Sequence, residues 1–515
     1  MQPGTVMALV AMGLGVLVIA NDFTALNVAL PNIEQDFDVD VGTSQWVINA
    51  YALTFGMAIV TGGRFADMFG RRRIFFIGTF LFIAFSAFGA AAQDIGWLIG
   101  SRVGMGIGGA MMWPAILGMT YAALPASRAG LAGGLILGAA GIGNAMGPLI
   151  GGALVELDSW RLIFVLNIPI GVFAMLVTWR YVHQAEEQER ERIDYPGIAA
   201  LSFGLLLLLV ALDQAVDWGW GDWRVIAMLV VSATLVVSFG FIEPRMGRAA
   251  LIPGDVIRNV EFRSACLAML LMSAVFFATV LYAPQFMQKV LDYSALGAGA
   301  GMLAMLVPFA LMSFVAGPLY GRIGAKPIIG AGALCLAVGP FLLSRIESDS
   351  GYGALLPGLI VTGVGVGLFY PSVTTAGVTA LDPARASLAG GLLYMAQIAG
   401  GAIGLGTTTT IFTSASESEL DDKAAAAGTN LTAHQEAVLH GDLAGTDAAE
   451  TALSELPASA MDRIVDIVRD SFVYGIQVSF RVIAVVAVLG LIISLLFVGG
   501  RLFGGKREAA PERGT

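Results

Sequence analysis

Apolar stretches of about 20 residues recur along the whole chain, and short polar segments separate them. Fourteen such stretches occur, with approximate limits 6–30, 43–63, 73–92, 96–120, 129–155, 161–180, 196–214, 223–242, 264–287, 294–316, 327–344, 354–378, 386–411 and 474–499. A helix needs about 20 apolar residues to cross the hydrocarbon layer of a membrane, and it satisfies its backbone hydrogen bonds there internally. The pattern therefore predicts an all-α polytopic membrane protein with 14 transmembrane helices.

Composition agrees with lipid as the main surrounding of the chain. Hydrophobic residues make up 57% of the sequence and charged residues only 13%, whereas soluble domains carry about 25% charged residues. The two cysteines, Cys266 and Cys335, lie in apolar stretches and give no indication of a disulfide framework. The three histidines lie in polar segments, so we predict no metal site.

Basic residues are unevenly distributed between the two sides of the predicted membrane helices. With the N-terminus in the cytoplasm, cytoplasmic segments contain 19 of the 28 lysines and arginines, as the positive-inside rule requires. Both termini, including the tail 500–515, are therefore predicted to be cytoplasmic. The acidic segment 413–472 would lie outside, either as a solvated connector or as a lid or partner site. Its part 461–472 has the apolar spacing of a helix that lies along the membrane surface.

Motifs from the first part of the chain recur in the last part at a nearly constant spacing. Gly63, Gly70 and Arg72 align with Gly317, Gly324 and Lys326 at an offset of 254, and Gly106, Gly108, Gly143 and Gly147 align with Gly363, Gly365, Gly400 and Gly404 at an offset of 257. Duplicated six-helix halves are a known plan of membrane transporters. We therefore predict a six-helix bundle over 1–182, a linker with two inserted helices over 183–260, and a second six-helix bundle over 261–515.

One acid, Asp22 in helix 1, is predicted to lie well inside the hydrocarbon layer. Ionisable residues are costly there and mark functional sites by default. Arg102 in helix 4 is expected at a similar depth, since the two residues lie about 12 and 9 Å from the estimated outer ends of their helices. Burial favours the protonated form of an acid, and a nearby cation favours the charged form. We therefore predict that Asp22 and Arg102 form a proton-coupling pair. The alternatives are an acid that is paired permanently for structure and an arginine that only donates hydrogen bonds to helix backbones.

Four motifs together resemble the major facilitator superfamily, in particular its 14-helix drug:proton antiporter branch. They are the segment 21–33 around Asp22, the segment 101–114 around Arg102, a glycine pattern in helix 5 and the loop after helix 2. The helix 5 pattern consists of Gly134, Gly143, Gly147, Pro148, Gly151 and Gly152, and the loop pattern of Gly63, Asp67, Gly70, Arg71 and Arg72. The resemblance implies a tight antiporter seam along helix 5 and a gate at the loop. It also implies the bacterial inner membrane as the location and the proton gradient as the energy source, without a cofactor.

Within the loop motif, Asp67 is expected at the start of helix 3, where that helix or a neighbouring segment supplies its hydrogen-bond donors. Met68 replaces the basic residue that many members of the family carry after the acid. Gly321 occupies the position of the acid in the second copy. The two halves are therefore expected to gate unequally.

The substrate cavity is expected between the two halves, near the middle of the membrane. Aromatic residues on the surrounding helices favour lipophilic and cationic ligands, because aromatic faces attract cations. The candidate binding residues are Trp46, Tyr51, Phe55, Trp113, Phe277, Tyr282, Tyr370, Tyr394 and Gln397. A sugar or amino-acid site would need several convergent polar groups, and few are present.

The expected activity is the efflux of small lipophilic or cationic compounds in exchange for protons, by a protein that works as a monomer in the lipid membrane. Export of one specific native lipid or secondary metabolite would use the same machinery and stays open. A non-transporting membrane scaffold or receptor is the third hypothesis. The sequence shows no phosphate-binding loop, nucleophile–base set or metal-ligand cluster. We therefore predict neither an enzyme nor a nucleic-acid-binding protein.

Overall fold

The computed structural model describes residues 3–156, 159–182, 193–426 and 458–500. Within these ranges the chain forms 14 helices that are long and apolar enough to span a membrane, and it forms no strand. The helices are α1 (Pro3–Phe37), α2 (Val41–Phe69), α3 (Arg71–Ala90), α4 (Ile95–Ala123), α5 (Ala129–Glu156), α6 (Arg161–Tyr181), α7 (Tyr195–Trp218), α8 (Trp223–Met246), α9 (Val260–Lys289), α10 (Leu303–Ile323), α11 (Ala325–Leu343), α12 (Tyr352–Thr379), α13 (Ala386–Ala426) and α14 (Ala458–Phe497). Short helices, Gly254–Arg258 and Ala295–Gly301, precede α9 and α10. The predicted all-α polytopic fold is confirmed.

The first six helices pack in the same pairs as the last six. α1 packs on α5 and α6, α3 on α6, and α4 on α2 and α3. Correspondingly, α9 packs on α13 and α14, α11 on α14, and α12 on α10 and α11. The two groups meet mainly through α2 against α13 and α5 against α10. We call α1–α6 the first group and α9–α14 the second group.

Glycines make equivalent close approaches in both groups. A Cβ added at Gly108 would lie 2.7 Å from the backbone nitrogen of Phe82, and one added at Gly365 would lie 2.8 Å from that of Leu336. Leu336 stands 254 positions after Phe82. A side chain at either glycine would force two helices apart, because only small residues allow such close backbone contact. The repeated glycines therefore follow from a repeated helix crossing.

The inserted helices α7 and α8 form a hairpin beside the junction of the two groups. α7 packs on α2 and on α13, and α8 packs on α7. Only 17% of the apolar window of α8 is buried, against 83% for α4. Such a large exposed apolar surface, which includes Trp223 and Phe241, requires lipid around it. The hairpin therefore covers one lateral side of the α2–α13 junction and faces the membrane.

The prediction of a connector over 413–472 is wrong at both of its ends. α13 has 41 residues and α14 has 40, or about 60 Å each at 1.5 Å per residue, twice the thickness of the hydrocarbon layer. The segment 461–472 is part of α14 and not a separate surface helix. Helix formation continues past the apolar stretch because alanines and an ion pair between Glu419 and Lys423, 3.4 Å, sustain it.

The two extensions are joined by an ion pair between Lys423 of α13 and Asp470 of α14, 3.0 Å apart. The middle of the predicted connector, 427–457, lies outside the described residues. The start of the predicted linker, 183–192, and most of the predicted cytoplasmic tail, 501–515, also lie outside them.

Candidate functional site

Asp22 and Arg102 form an ion pair in the interior of the first group. The Nη1 atom of Arg102 donates to Oδ2 of Asp22, and both side chains are fully buried. α1 continues beyond the predicted apolar stretch to Phe37, 15 residues after Asp22. This extension contains the polar residues Asn32, Glu34, Gln35 and Asp36. Protein, and not lipid or bulk water, surrounds the acid.

A second polar layer holds the pair in place. The side-chain amide of Asn167 in α6 donates to Oδ1 of Asp22 at 3.1 Å, and it lies 3.2 Å from Oγ of Ser86. The Nε atom of Arg102 donates to the carbonyl oxygen of Val47 at 2.8 Å. Sequence reasoning missed Asn167, although an amide within the apolar stretch 161–180 was a usable signal. Five helices, α1, α2, α3, α4 and α6, therefore contribute to the hydrogen-bond network around one ion pair.

A chain of aromatic rings connects this pair to the junction of the two groups. The guanidinium carbon of Arg102 lies 4.3 Å from the ring centroid of Tyr51. The rings of Tyr51 and Phe55 are 6.0 Å apart, and Phe55 contacts Tyr394 of α13 at 5.5 Å. Tyr394 also packs on Trp113 of α4, with centroids 4.3 Å apart. Movement of Arg102 can therefore be transmitted to α13 through contacting rings.

A cavity lies next to these rings, between the two groups. It is lined by Trp113, Leu117, Leu137, Met269, Thr374, Gly390, Leu393, Tyr394 and Gln397. Three of the predicted binding residues, Trp113, Tyr394 and Gln397, belong to this lining. The aliphatic lining residues were missed because nothing in a hydrophobic helix distinguishes a leucine that faces a cavity from one that faces a neighbour.

The other predicted binding residues are dispersed. Tyr370 is buried beside Phe276, with ring centroids 6.3 Å apart. Tyr282 instead packs on Phe412 and Phe480 inside the second group, at 5.5 and 6.1 Å. It follows Phe277 by five residues, so the two residues face different sides of α9. Trp46 lies near the start of α2, half-buried and about 13 Å along the helix from Phe55.

The glycine pattern of α5 faces α1, the helix that carries Asp22. A Cβ added at Gly143 would lie 2.7 Å from the carbonyl oxygen of Leu17, and one at Gly147 would lie 3.0 Å from the backbone nitrogen of Ala25. A Cβ at Gly151 would overlap the carbonyl oxygen of Ala25. The backbones of α1 and α5 are therefore in direct contact along two to three helical turns.

The remaining positions of the pattern have different surroundings. A Cβ at Gly134 would lie 2.7 Å from the carbonyl oxygen of Ser313 in α10, so this glycine brings the two groups together. A Cβ at Gly152 would make only an ordinary contact of 3.5 Å with Leu296. The pattern thus combines a seam within the first group with one close contact to the second.

Pro148 leaves one carbonyl oxygen of α5 without its helical donor, and a side chain of α1 supplies a donor instead. Proline has no backbone N–H, so the carbonyl oxygen of Asn144, four residues earlier, lacks its helical partner. The hydroxyl of Thr24 donates to that oxygen at 3.3 Å. Thr24 lies two residues after Asp22, and a local distortion of α5 at Pro148 therefore acts directly on the segment that holds the acid.

Asp67 joins the two groups at the side predicted to be cytoplasmic. It lies in the last turn of α2 and not, as predicted, at the start of α3. Its carboxylate accepts from the backbone N–H of Leu388 at 2.8 Å and from that of Ser387 at 3.2 Å, in the first turn of α13. An acid at a helix N-terminus is favoured by free N–H groups and by the helix dipole. Asp67 therefore caps a helix of the opposite group.

Arg71 completes this contact. Its Nε atom donates to Asp67 at 3.1 Å, and its two other nitrogens donate to the carbonyl oxygens of Gly118 at 3.1 Å and Pro383 at 2.6 Å. Gly63 lies against α13, since an added Cβ would be 2.7 Å from the carbonyl oxygen of Ser387. The contact between α2, α4 and α13 therefore closes this end of the junction.

The second copy of the loop motif retains the glycine turn and a cation at the position of Arg72. Gly70 and Gly324 both adopt positive φ, 96° and 87°, which favours glycine. Arg72 donates to the carbonyl oxygen of Trp179 near the end of α6 at 2.9 Å, and Lys326 donates to that of Gly500 after α14. Each cation thus donates to a backbone carbonyl at or just beyond the end of the last helix of its own group.

Ion pairing extends the contact at α13. Arg385, which precedes α13, pairs with Asp255 in the short helix before α9. The hydrogen bond from Arg385 lowers the pKa of Asp255 below its usual value.

Sequence reasoning also missed a second acid in a spanning helix. Asp213 of α7 accepts two hydrogen bonds from the side-chain amide of Asn49 in α2, at 3.1 and 3.0 Å, and one from Gln214 at 3.1 Å. Asp213 lies near the end of the apolar stretch 196–214, so its depth was not evident. It links the inserted hairpin to the first group.

The fold and the site define a class: polytopic membrane transporters built from two similar groups of six helices around a central cavity. The family model described as Major Facilitator Superfamily matches residues 12–405. The chain belongs to the major facilitator superfamily.

Individual proteins show the same relationship. The chain is 29% identical over 490 residues to the tetracenomycin C resistance and export protein of Streptomyces glaucescens, covering 95% of this chain and 90% of that protein. It is 33% identical over 403 residues to the multidrug resistance protein Stp of Mycobacterium tuberculosis, covering 77% and 74%. The human organic anion transporter MFSD10 shares the fold, with a TM-score of 0.63 at 13% identity, covering 96% of this chain and 100% of that one.

Proposed function

We propose that the protein exports small lipophilic compounds, many of them cationic, in exchange for protons. The observation that carries the proposal is the buried pair of Asp22 and Arg102, whose charge balance a single proton would change. Two relatives with high coverage are named as an antibiotic resistance and export protein and as a multidrug resistance protein. We place the protein in the cytoplasmic membrane of a bacterium, as a monomer with both termini inside.

The cargo would bind between the two groups, in the cavity beside Trp113 and Tyr394. The cavity leaves a volume of only about 10 Å³, roughly enough for one water molecule, whereas sites for drug-sized ligands measure about 300–1000 Å³. It must therefore widen to admit cargo. Its wall offers apolar and aromatic surface with few polar groups, of which Gln397 is one. Such a lining suits compounds that share lipophilicity and charge more than a precise shape.

Proton exchange would act through the partner of the acid. While Asp22 is charged, Arg102 is neutralised and held between Asp22, Val47 and the ring of Tyr51. A proton on Asp22 removes this counter-charge, and a buried cation without its partner is destabilised by about 3–5 kcal/mol. Arg102 must then move, and the rings of Tyr51 and Phe55 carry that movement toward Tyr394.

The resulting cycle alternates between two states. Charged Asp22 favours the state that binds cargo from the cytoplasm, and the groups then rock to expose the cavity to the outside. A proton from outside neutralises Asp22 and displaces the cargo, and the proton gradient drives the return. The contact of Asp67 with α13 would hold the cytoplasmic end closed during release, and the α1–α5 seam would prevent leakage.

Transport into proteoliposomes under an imposed pH gradient tests the proposal. Ethidium, a quaternary ammonium compound, tetracycline and a lysolipid would be compared, with dissipation of the gradient by an ionophore as the control. Gradient-dependent accumulation of several of these compounds supports the proposal. Accumulation that is unaffected by the ionophore would refute proton exchange, and accumulation of none would refute multidrug transport.

A second candidate function is export of one specific secondary metabolite. The name of the Streptomyces relative, which couples resistance to export of a single antibiotic, favours it. The same experiment separates the two candidates, because a dedicated exporter would leave chemically unrelated compounds untransported.

A further inference from the structure

Three charged side chains are buried where the inserted hairpin meets the first group. Arg64 belongs to α2, Asp194 precedes α7, and Glu243 lies in the last turn of α8; their exposed fractions are 6%, 2% and 4%. None of them belongs to the proton-coupling pair or to the cavity. Burial of three charged groups is costly unless their charges balance and their hydrogen bonds are satisfied.

Each of the two acids accepts a hydrogen bond from a backbone N–H group through one of its carboxylate oxygens. Oδ1 of Asp194 accepts from the N–H of Gly197 at 2.8 Å and thereby caps α7. Oε1 of Glu243 accepts from the N–H of Ile252. The other oxygens, Oδ2 of Asp194 and Oε2 of Glu243, are also buried, and no N–H or O–H group among the described residues donates to them.

The two carboxyl groups lie within hydrogen-bonding reach of each other, and Arg64 lies within electrostatic range of Glu243. Two carboxylate oxygens are both acceptors, so they can bond only if a hydrogen lies between them. Two carboxylates side by side in a buried place also repel each other. A single proton removes both difficulties, because it supplies a donor and leaves only one of the two carboxyl groups charged. Among the described residues, the charged groups that act on Glu243 are Asp194 from the start of α7 and Arg64 from α2.

We propose that Asp194 and Glu243 share one proton beside Arg64, and that this carboxyl pair is a proton-binding site separate from Asp22. The site joins the hairpin to the gate. Arg64 lies between Gly63, which contacts the first turn of α13, and Asp67, which caps it. Loss of the proton would leave two charged carboxylates side by side in a buried place, which favours entry of water and separation of α7 and α8 from α2. Docking of the hairpin is therefore strengthened at low pH and weakened as the pH rises.

Infrared difference spectroscopy of the purified full-length protein in lipid nanodiscs tests this site without any transported compound. The experiment uses the Asp22→Asn background, which removes the protonated form of Asp22 from the spectrum. We expect a C=O stretching band of a buried protonated carboxyl group that disappears as the pH rises. Either Glu243→Gln or Asp194→Asn should abolish this band. In each variant the new amide N–H can donate to the remaining carboxylate and so replace the proton. Its oxygen can still accept from the backbone N–H of Ile252 in Glu243→Gln or of Gly197 in Asp194→Asn.

Two further variants make the result specific. Arg64→Gln should shift the loss of the band to higher pH, because removal of the nearby cation favours the protonated form. Asp222→Asn, which changes the acid that caps α8 at the opposite end of the hairpin, should leave the band unchanged. A band that persists in both Glu243→Gln and Asp194→Asn, or the absence of any such band in the Asp22→Asn protein, would overturn the proposal. Neither outcome bears on whether Asp22 couples transport to protons.

Discussion

The carboxylate of Asp67 accepts a hydrogen bond from the backbone N–H of Leu388, which lies 321 residues further along the chain. The first group thus supplies the cap for α13 of the second group, and Arg71 adds a hydrogen bond to the carbonyl oxygen of Pro383 just before that helix. A movement that separates α2 from α13 must leave the first turn of α13 uncapped. The closed state of this end therefore depends on a small number of identifiable hydrogen bonds.

Asp67→Asn should shift the protein toward the state in which this end is open. The amide retains one acceptor oxygen but loses the negative charge that attracts the helix N-terminus and Arg71. We expect a loss of about 1–2 kcal/mol from the closed state, which is about a 5- to 30-fold change in the ratio of the two states. Spin labels at Ala126→Cys, before α5, and Ile323→Cys, at the end of α10, after replacement of Cys266 and Cys335, would report the distance between the two groups at this end.

Asp40→Asn is the matched control for this experiment. Asp40 also caps a helix, since it accepts from Thr43 at 2.8 Å, but the helix is α2 of its own group. Its replacement should leave the distance distribution unchanged. Equal shifts in both variants, or no shift in Asp67→Asn, would contradict the role of Asp67 in closure.

Gly143→Ala should separate α1 from α5. The added methyl group would lie 2.7 Å from the carbonyl oxygen of Leu17 and 2.9 Å from Cβ of Ala20, and overpacking of this kind costs about 1–3 kcal/mol. We expect a lower midpoint of thermal unfolding and a faster proton leak through proteoliposomes. Gly152→Ala, with an ordinary 3.5 Å contact, should change neither quantity. A Gly143→Ala protein with the stability and leak rate of the wild type would show that the seam is not tight.

Tyr394→Leu should weaken the binding of cations more than that of neutral compounds of similar lipophilicity. The change keeps an apolar side chain but removes the aromatic face, which contributes about 0.5–2 kcal/mol to cation binding, or about 2- to 30-fold in Kd. Tyr394→Phe should retain the affinity for cations. Fluorescence titration with ethidium and with a neutral dye would measure both constants. Equal losses for the two dyes in Tyr394→Leu would indicate a role in packing only.

The sequence was sufficient to predict the helices and the pairing of Asp22 with Arg102. Apolar length fixes the number of spanning helices because lipid allows few alternatives. Asp22 and Arg102 were recognisable because charges within apolar stretches are rare and need partners. The glycine offsets of 254 and 257 likewise reflect helix crossings that recur in both groups.

Features that depend on packing between distant helices were not predictable. Nothing near Asp67 in the sequence indicates that Leu388 supplies its donor, and the orientation of Tyr282 depends on the position of α14. The ends of α13 and α14 were missed because a helix in water is sustained by residues such as Glu419 and Lys423, while the hydrophobic pattern marks only the part within lipid.

Proton release from the purified protein tests the central role of Asp22 most directly. Addition of ethidium to the wild-type protein in weakly buffered solution should release protons, detected with a pH indicator, because charged Asp22 is the form that favours cargo. Asp22→Asn should release none, whereas Asp22→Glu, which keeps a carboxyl group, should retain the release in part. Release from Asp22→Asn that equals the wild type, with ethidium binding intact, would contradict the account.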